Sequence, residues 1–168
     1  SIRAAHAVCP VSAVQSEYSL IWREPETKIF PTLRELGIGF VPYCPLGRAL
    51  LTGAIKANSR FANERRATLP MFTPKALPHN MQIFDLTKKW AEKLNVTPAQ
   101  FALIWLLSQA PDIVPIPGTT NSKHLVELTE NINVRLTSNQ QAEFERNYAQ
   151  IHLVGHRADP FTESQIDK

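Results

Sequence analysis

The chain has 168 residues, enough for one domain, and its 43% apolar and 20% charged residues suit a packed core. A formal charge of +3 with scattered basic residues gives no basic stripe for tracking nucleic acid. No apolar run approaches the ~20 residues of a membrane span. The two cysteines lack CxxC spacing, which fits a reducing compartment. We therefore expect a cytoplasmic protein that binds neither nucleic acid nor membranes.

The first elements are a helix end, a strand, a helix and a second strand. Segment 1–8 has helical apolar spacing without a preceding cap, so we expect that the chain begins in mid-element, after a missing upstream segment. The short segment 11–15 predicts a strand. Segment 24–36 predicts a helix, with Gly37 as its left-handed end. Segment 38–43 is mostly apolar and predicts a strand covered on both faces.

A long loop, two helices and further β/α elements follow. Residues 44–78 predict a loop with a short helical piece at 48–54, and loops of this length are usually functional. Asn80 is predicted to cap a helix reaching Leu94. Thr97 and Pro98 are predicted to open a helix that is apolar nearly all round.

The last part of the chain repeats the alternation. Segment 113–116 predicts a third strand, and Asn121 or Ser122 caps the helix after it. A capping box of Ser138 and Gln141 predicts a final helix toward residue 151, and the polar tail after residue 155 is expected to fray or to wrap the surface. This alternation of strands and helices predicts a parallel sheet with helical crossovers.

In such an array, functional residues collect at the carboxyl ends of the strands. Gln15 ends the first strand and has an amide that can donate and accept, or it simply faces water. Tyr43 could stack on a flat ring and Arg48 could bind a phosphate; alternatively they are a core rim and a surface charge. Gly118 and the following hydroxyls precede a helix start, which is either a phosphate site or a plain capped turn.

Taken together, three motifs resemble the aldo-keto reductases, in particular the long-loop branch with aryl-alcohol and pyridoxal reductase-like members. The motifs are Val14-Gln15-Ser16-Glu17-Tyr18-Ser19-Leu20, Glu35-Leu36-Gly37-Ile38-Gly39-Phe40-Val41-Pro42-Tyr43-Cys44-Pro45-Leu46-Gly47-Arg48 with Leu51-Thr52-Gly53, and Pro115-Ile116-Pro117-Gly118-Thr119-Thr120. The resemblance implies an α/β fold, here a partial (β/α)8 TIM-type barrel of about three parallel strands with surrounding helices. Residues 1–155 would be the C-terminal part of the barrel, and 156–168 a tail.

The resemblance also implies a cofactor, NADP(H), and ten binding residues. They are Gln15 at the carboxamide, Tyr43 on the nicotinamide, Cys44, Leu46 and Arg48 along the pyrophosphate, Gly118, Thr119, Asn121 and His124 at the 2′-phosphate, and Glu127 near the adenine or its ribose. Cys44 stands where the family usually has serine. His124 and Leu128 replace a common arginine and a common asparagine, so the choice between NADP and NAD stays open.

The family's catalytic tyrosine, lysine, aspartate and histidine lie on earlier strands than those found here. We therefore expect no carbonyl reduction by this chain alone, and weak or lost NADP binding. A small-molecule carbonyl would be a substrate only if a catalytic half were supplied. Two alternatives are a non-catalytic nucleotide-binding or oligomerising module and a fragment of an aldolase-like barrel. An open barrel face predicts a homo-oligomer.

Overall fold

A computed structural model describes residues 1–165 of the chain. The elements, in chain order, are α1 (Ile2–Val8), β1 (Ala13–Glu17), α2 (Pro25–Lys28), α3 (Phe30–Leu36), β2 (Gly39–Tyr43), three 3-10 helices (Gly47–Thr52, Arg65–Thr68 and Pro70–Phe72), α4 (Leu77–Leu94), α5 (Pro98–Leu107), α6 (Ser122–Thr129), α7 (Ser138–Tyr148) and α8 (Pro160–Glu163). The predicted alternation is confirmed, with β1 lying two residues later than expected. Among the described residues, no helix combines the length and apolarity that crossing a bilayer requires.

The two strands form a parallel sheet in which Ala13 lies opposite Gly39 and Glu17 opposite Tyr43. A parallel pair needs a crossover on one face, and α2 and α3 supply it. Gly37 ends α3 in the left-handed conformation (φ 65°), as the sequence predicts. The α/β fold class, a partial barrel, is therefore confirmed.

The predicted third strand is only partly formed. Ile113 makes one parallel bridge to Phe40, and the amides of Val114 and Ile116 donate to the carbonyls of Phe40 (2.9 Å) and Pro42 (3.2 Å). The next bond of a regular ladder would need an amide hydrogen on Pro42, which proline lacks. Segment 113–116 therefore runs beside β2 as an extended chain, and the sheet proper has two strands.

The predicted start of α4 is wrong, whereas that of α5 is confirmed. Helix α4 begins at Leu77, so Asn80 lies inside it; its buried amide donates to the carbonyls of Met71 (3.0 Å) and Val154 (2.8 Å). Asn80 thus ties two loops to the helix, and a local capping pattern cannot distinguish this use. Thr97 does cap α5, with Gln100 completing a capping box.

The last long helix, α7, also starts differently from the prediction. Its capping box consists of Thr137 and Gln140, one residue before the predicted pair, and the helix ends at Tyr148. The two patterns compete because Ser138 and Gln141 have the same spacing and the same chemistry. The shift is small and leaves the helix in place.

The tail wraps the surface, which is one of the two expected behaviours. Gly155 has φ 87°, and a Cβ atom there would lie 2.6 Å from the backbone of Pro70, so only glycine fits. Asp159 then caps the short helix α8 through the amide of Thr162 (3.0 Å). The last residues of the predicted tail, 166–168, lie outside the described residues.

The core lies on one side of the sheet. Helix α5 is buried from Ala99 to Leu106, as its all-round apolar pattern predicts, and the ring of Phe40 packs against Tyr18 and Phe30. On the opposite side Gln15 is exposed, and the side chains of Val114 and Ile116 point away from the core. The sheet therefore has one covered and one open face.

Candidate cofactor cleft

A cavity of about 830 Å³ opens at the carboxyl ends of β2 and segment 113–116. Seven of the ten predicted cofactor residues line it, namely Cys44, Leu46, Arg48, Gly118, Thr119, His124 and Glu127. The wall opposite the strand ends is apolar and includes Ala99 and Leu128. Gln15, Tyr43 and Asn121 lie outside this lining. The cleft therefore brings together two motifs that are about seventy residues apart in the sequence.

One wall is formed by residues 44–49, which we call the left-handed turn. Four of its residues have positive φ: Cys44 (52°), Gly47 (58°), Arg48 (53°) and Ala49 (73°). Three of these are not glycine, and such backbone persists only where surrounding contacts impose it. The amide of Gly47 donates to the carbonyl of Cys44 at 2.9 Å, and burial raises the pKa of the Cys44 thiol. The turn is therefore a constrained feature at the cleft.

A buried carboxylate, Glu17 at the end of β1, contacts the left-handed turn through Arg48. Its side chain is 2% exposed, and one oxygen accepts from the Arg48 guanidinium at 3.0 Å. The Arg157 guanidinium lies 3.7 Å from the same oxygen. Burial raises the pKa of Glu17, while the charges of Arg48 and Arg157 oppose that rise. Arg48 therefore lines the cleft with its guanidinium held by Glu17.

Sequence reasoning quoted Glu17 within a motif but assigned it no role. The available signal was the two-residue period of β1, which places Glu17 on the same face as Gln15. Its burial could not be read from that pattern. It depends on arginines from the left-handed turn and from the tail.

Tyr43 stands directly opposite Glu17 in the sheet register and lies beside the left-handed turn. Its hydroxyl oxygen accepts a hydrogen bond from Arg157 at 3.4 Å, and its ring is half-buried. Burial raises the pKa of Tyr43, and the negative charge of Glu17 adds to the rise. Gln15 is exposed two residues before Glu17, on the same side of the sheet. Both predicted nicotinamide residues thus lie on the open face, and Tyr43 directly precedes the left-handed turn.

The other end of the cleft is the start of α6. The Asn121 side chain accepts from the amide of Lys123 at 3.0 Å, so Asn121 is the helix cap and one of the two predicted candidates is confirmed. The Thr119 hydroxyl oxygen accepts from the Asn121 amide at 3.1 Å and keeps its own proton to donate. A Cβ atom at Gly118 would meet nothing within 4 Å, so space for a ligand exists there. His124 is exposed on the first turns of the helix.

Glu127 and Leu128 form the back of the cleft. The Thr97 hydroxyl donates to the Glu127 carboxylate at 2.6 Å, and Gln100 donates to the Glu127 carbonyl at 2.9 Å. These bonds tie α6 to the start of α5. Leu128 is buried and presents apolar surface. The cleft thus runs from polar groups at the helix start to an apolar back wall.

The parallel β/α order and the cleft at the strand ends define an α/β protein with part of a (β/α)8 barrel. Residues 1–149 match the model of the Aldo/keto reductase family, and the chain belongs to that family. Within residues 1–165, no cluster of three or more His, Cys, Asp or Glu side chains is placed to hold a metal ion.

Relatives and solved structures agree with this assignment. The chain is 38% identical to aldo-keto reductase str7 of Strobilurus tenacellus over 94% of this chain and 48% of that protein. It is 43% identical to probable aldo-keto reductase 1 of Glycine max over 82% of this chain and 40% of that protein. The chain therefore spans about half the length of the curated relatives it matches.

The fold resembles the glycerol dehydrogenase AKR11B4 of Gluconobacter oxydans with a TM-score of 0.82, at 23% identity, over 95% of this chain and 48% of that one. An aldo/keto reductase from Klebsiella pneumoniae, solved in complex with NADP and acetate, aligns with a TM-score of 0.58 at 20% identity, over 88% of this chain and 43% of that one. At these identities the likeness concerns the fold.

Proposed function

We propose that this chain forms the NADP(H)-holding side of an aldo-keto reductase barrel. One observation carries the proposal: seven of the ten predicted cofactor residues, from two segments about seventy residues apart, line a single cleft at the strand ends. The Klebsiella relative was solved with NADP, which supports the same cofactor class here. The whole protein's reaction is accordingly the reversible transfer of hydride between NADP(H) and a carbonyl or alcohol.

In this proposal the phosphates lie along the start of α6 and the left-handed turn. Gly118 provides space, Thr119 donates its hydroxyl proton, and the amides at the helix start favour negative charge. His124 stands beside them and supplies positive charge when protonated. Leu46 and the backbone of Cys44 line the path between the two ends of the cofactor.

The nicotinamide end lies toward the open face of the sheet. Tyr43 presents its ring next to the cleft, and Gln15 presents an amide that can both donate to and accept from a carboxamide. The cofactor supplies the hydride when bound, and the residues of this chain orient its ring. Orientation matters because hydride transfer requires a close and aligned donor.

Proton donation to the carbonyl oxygen is the step that these residues do not explain. The three tyrosine hydroxyls interact with Glu26 (from Tyr18), Arg157 (with Tyr43) and the carbonyl of Leu20 (from Tyr148). Tyr43 accepts its bond and keeps its own proton, but burial raises the pKa of all three tyrosines, which disfavours proton release from each. We therefore propose that the 168-residue chain by itself binds cofactor without turnover. The hydrogen bonds and raised pKa values of these tyrosine hydroxyls also support a second candidate function, a nucleotide-binding module without catalysis.

Titration of the chain with NADPH, followed by nicotinamide fluorescence, tests the cleft. Gly118→Asp places a carboxylate where the proposed phosphate lies, and the space around Gly118 admits the side chain without a clash. We expect the dissociation constant to rise at least about tenfold, which corresponds to ~1.4 kcal/mol. Asn131→Asp is the control, because it adds the same charge beyond the end of α6 at a position (φ 58°) that aspartate tolerates.

The outcomes separate the candidates. A chain that shows no saturable NADPH signal would refute both cofactor-binding readings. If Gly118→Asp and Asn131→Asp lower NADPH affinity equally, overall charge governs binding and the cleft does not. NADPH oxidation with an aromatic aldehyde that scales with the purified chain would refute the non-catalytic reading.

A further inference from the structure

A buried charge cluster joins three separate parts of the chain next to the cleft. Glu17 comes from β1, Arg48 from the left-handed turn and Arg157 from the tail, and both guanidinium groups approach the same oxygen of Glu17. All three side chains are less than one-fifth exposed. A carboxylate buried this deeply needs paired charges and hydrogen bonds to offset its lost hydration.

The cluster is connected to the backbone that the cofactor would meet. Arg48 has φ 53° and ψ 40°, and its neighbour Ala49 has φ 73° and ψ 3°. Neither residue prefers that conformation, so a contact must hold it. The 3.0 Å bond between Arg48 and Glu17 anchors the side chain of one of these residues. The carbonyl of Arg48 is held separately by the guanidinium of Arg66 at 3.3 Å.

The cluster also reaches the ring next to the cleft. Arg157 donates to the Tyr43 hydroxyl at 3.4 Å while lying 3.7 Å from Glu17. The guanidinium of Arg157 also lies over the Trp22 ring at 4.8 Å, and its Nε lies 3.4 Å from the Glu163 carboxylate. Glu17 therefore contacts the left-handed turn directly and contacts Tyr43 through Arg157.

We propose that Glu17 is a positioning residue whose negative charge holds the left-handed turn and the Tyr43 ring in the conformation that receives the cofactor. The inference rests on the proposed function for its ligand. It concerns a residue that touches no ligand itself and acts through two arginines. Charge is essential to it, because hydrogen bonds to a carboxylate are about twice as strong as those to a neutral amide oxygen, and a neutral amide would not attract Arg157 across 3.7 Å.

Amide hydrogen exchange and NADPH titration of the full chain test the proposal together. We expect Glu17→Gln to accelerate exchange in segment 44–53 by about tenfold, while segment 98–107 in the core changes by less than about twofold. The NADPH dissociation constant is expected to rise about tenfold. Glu17→Asp keeps the charge and is expected to restore most of both properties. Glu145→Gln is the control, since it removes a carboxylate bound to Arg23 at 2.8 Å outside the cleft lining.

Each result decides a separate point. Unchanged exchange in segment 44–53 of folded Glu17→Gln would overturn the positioning role, whatever NADPH does. Wild-type chain that fails to bind NADPH would refute the proposed function, and the exchange data would still decide the role of Glu17. Glu17→Asp that behaves like Glu17→Gln would show that side-chain shape holds the turn, which also overturns the proposal. Where Glu17→Gln does not fold, Arg48→Gln breaks the same bond and the same exchange comparison applies.

Discussion

The two faces of the sheet differ in what covers them, although both are rich in apolar residues. On one face Phe40 and Ile113 are 2% and 4% exposed and pack into the helical core. On the other, Val114 and Ile116 are 62% and 46% exposed. Because successive side chains of a strand point to opposite faces, the same short segments supply both faces with alternate residues. Packing therefore stabilises one face, whereas the other carries residues proposed for binding.

Matched truncations on adjacent residues of β2 test this difference most strongly. Phe40→Ala removes a ring packed against Tyr18 and Phe30, and we expect it to lower the free energy of unfolding by about 3–5 kcal/mol. Val41→Ala changes the open face and is expected to cost less than about 1 kcal/mol. Urea unfolding measures both. In a chain diluted to a monomer, a loss above about 2 kcal/mol for Val41→Ala would show that the chain itself covers this face.

The next test is whether a partner covers the open face of the sheet. From the sequence we predict that a second copy of the chain covers the open face, because apolar surface and an open strand edge favour association. Val114→Glu is then expected to weaken association about 30-fold, for ~2 kcal/mol. Val126→Glu is the control at an equally exposed valine (58%) on α6. Sedimentation that shows a folded wild-type monomer at micromolar concentration would contradict the prediction.

Local signals predicted much of the fold, and contacts distant in sequence account for what they missed. Gly37 and the Thr97 cap were predictable because the left-handed end and the capping box depend on a few neighbouring residues. The third strand is only partly formed beside Pro42. The missing donor, a backbone amide hydrogen, is on a different segment from the predicted strand. The path of the tail was also not predicted in detail, because the restriction to glycine at position 155 comes from the backbone of Pro70.

The residues of the candidate site also differ in how far the sequence could predict them. Seven residues could be predicted to line one cleft, because parallel strands place their carboxyl ends at the same edge of a sheet. Glu17 was not, since its burial depends on Arg48, which lies 31 residues further along, and on the tail. Charge clusters that form across a fold leave no short-range pattern in the sequence.

The helix end of the cleft gives a smaller effect than either face of the sheet. His124→Arg places a permanent positive charge here, and its guanidinium can bind a phosphate through two parallel hydrogen bonds. We expect NADPH affinity to rise about fivefold, for ~1 kcal/mol, with NADH affinity unchanged. Parallel fluorescence titrations with the two cofactors measure this. An equal gain for both cofactors would place the added charge at the pyrophosphate and not at the 2′-phosphate.

Cys44 directly follows β2 and lines the cleft. The reactivity of its thiol gives the smallest expected effect. Burial raises the pKa of its thiol; Arg48 opposes the rise and Glu17 adds to it. A raised pKa means that folding favours the neutral thiol, so this contribution to stability is present below the unfolded pKa and is lost as pH rises through the folded pKa. Cys9→Ser makes Cys44 the single thiol. Iodoacetamide should then react at pH 8 about threefold more slowly than with an unstructured cysteine peptide, and the pH midpoint of the reaction should lie above the peptide's. Reaction as fast as the peptide's would mean that the left-handed turn opens freely in solution, and the constraint inferred for it would fail.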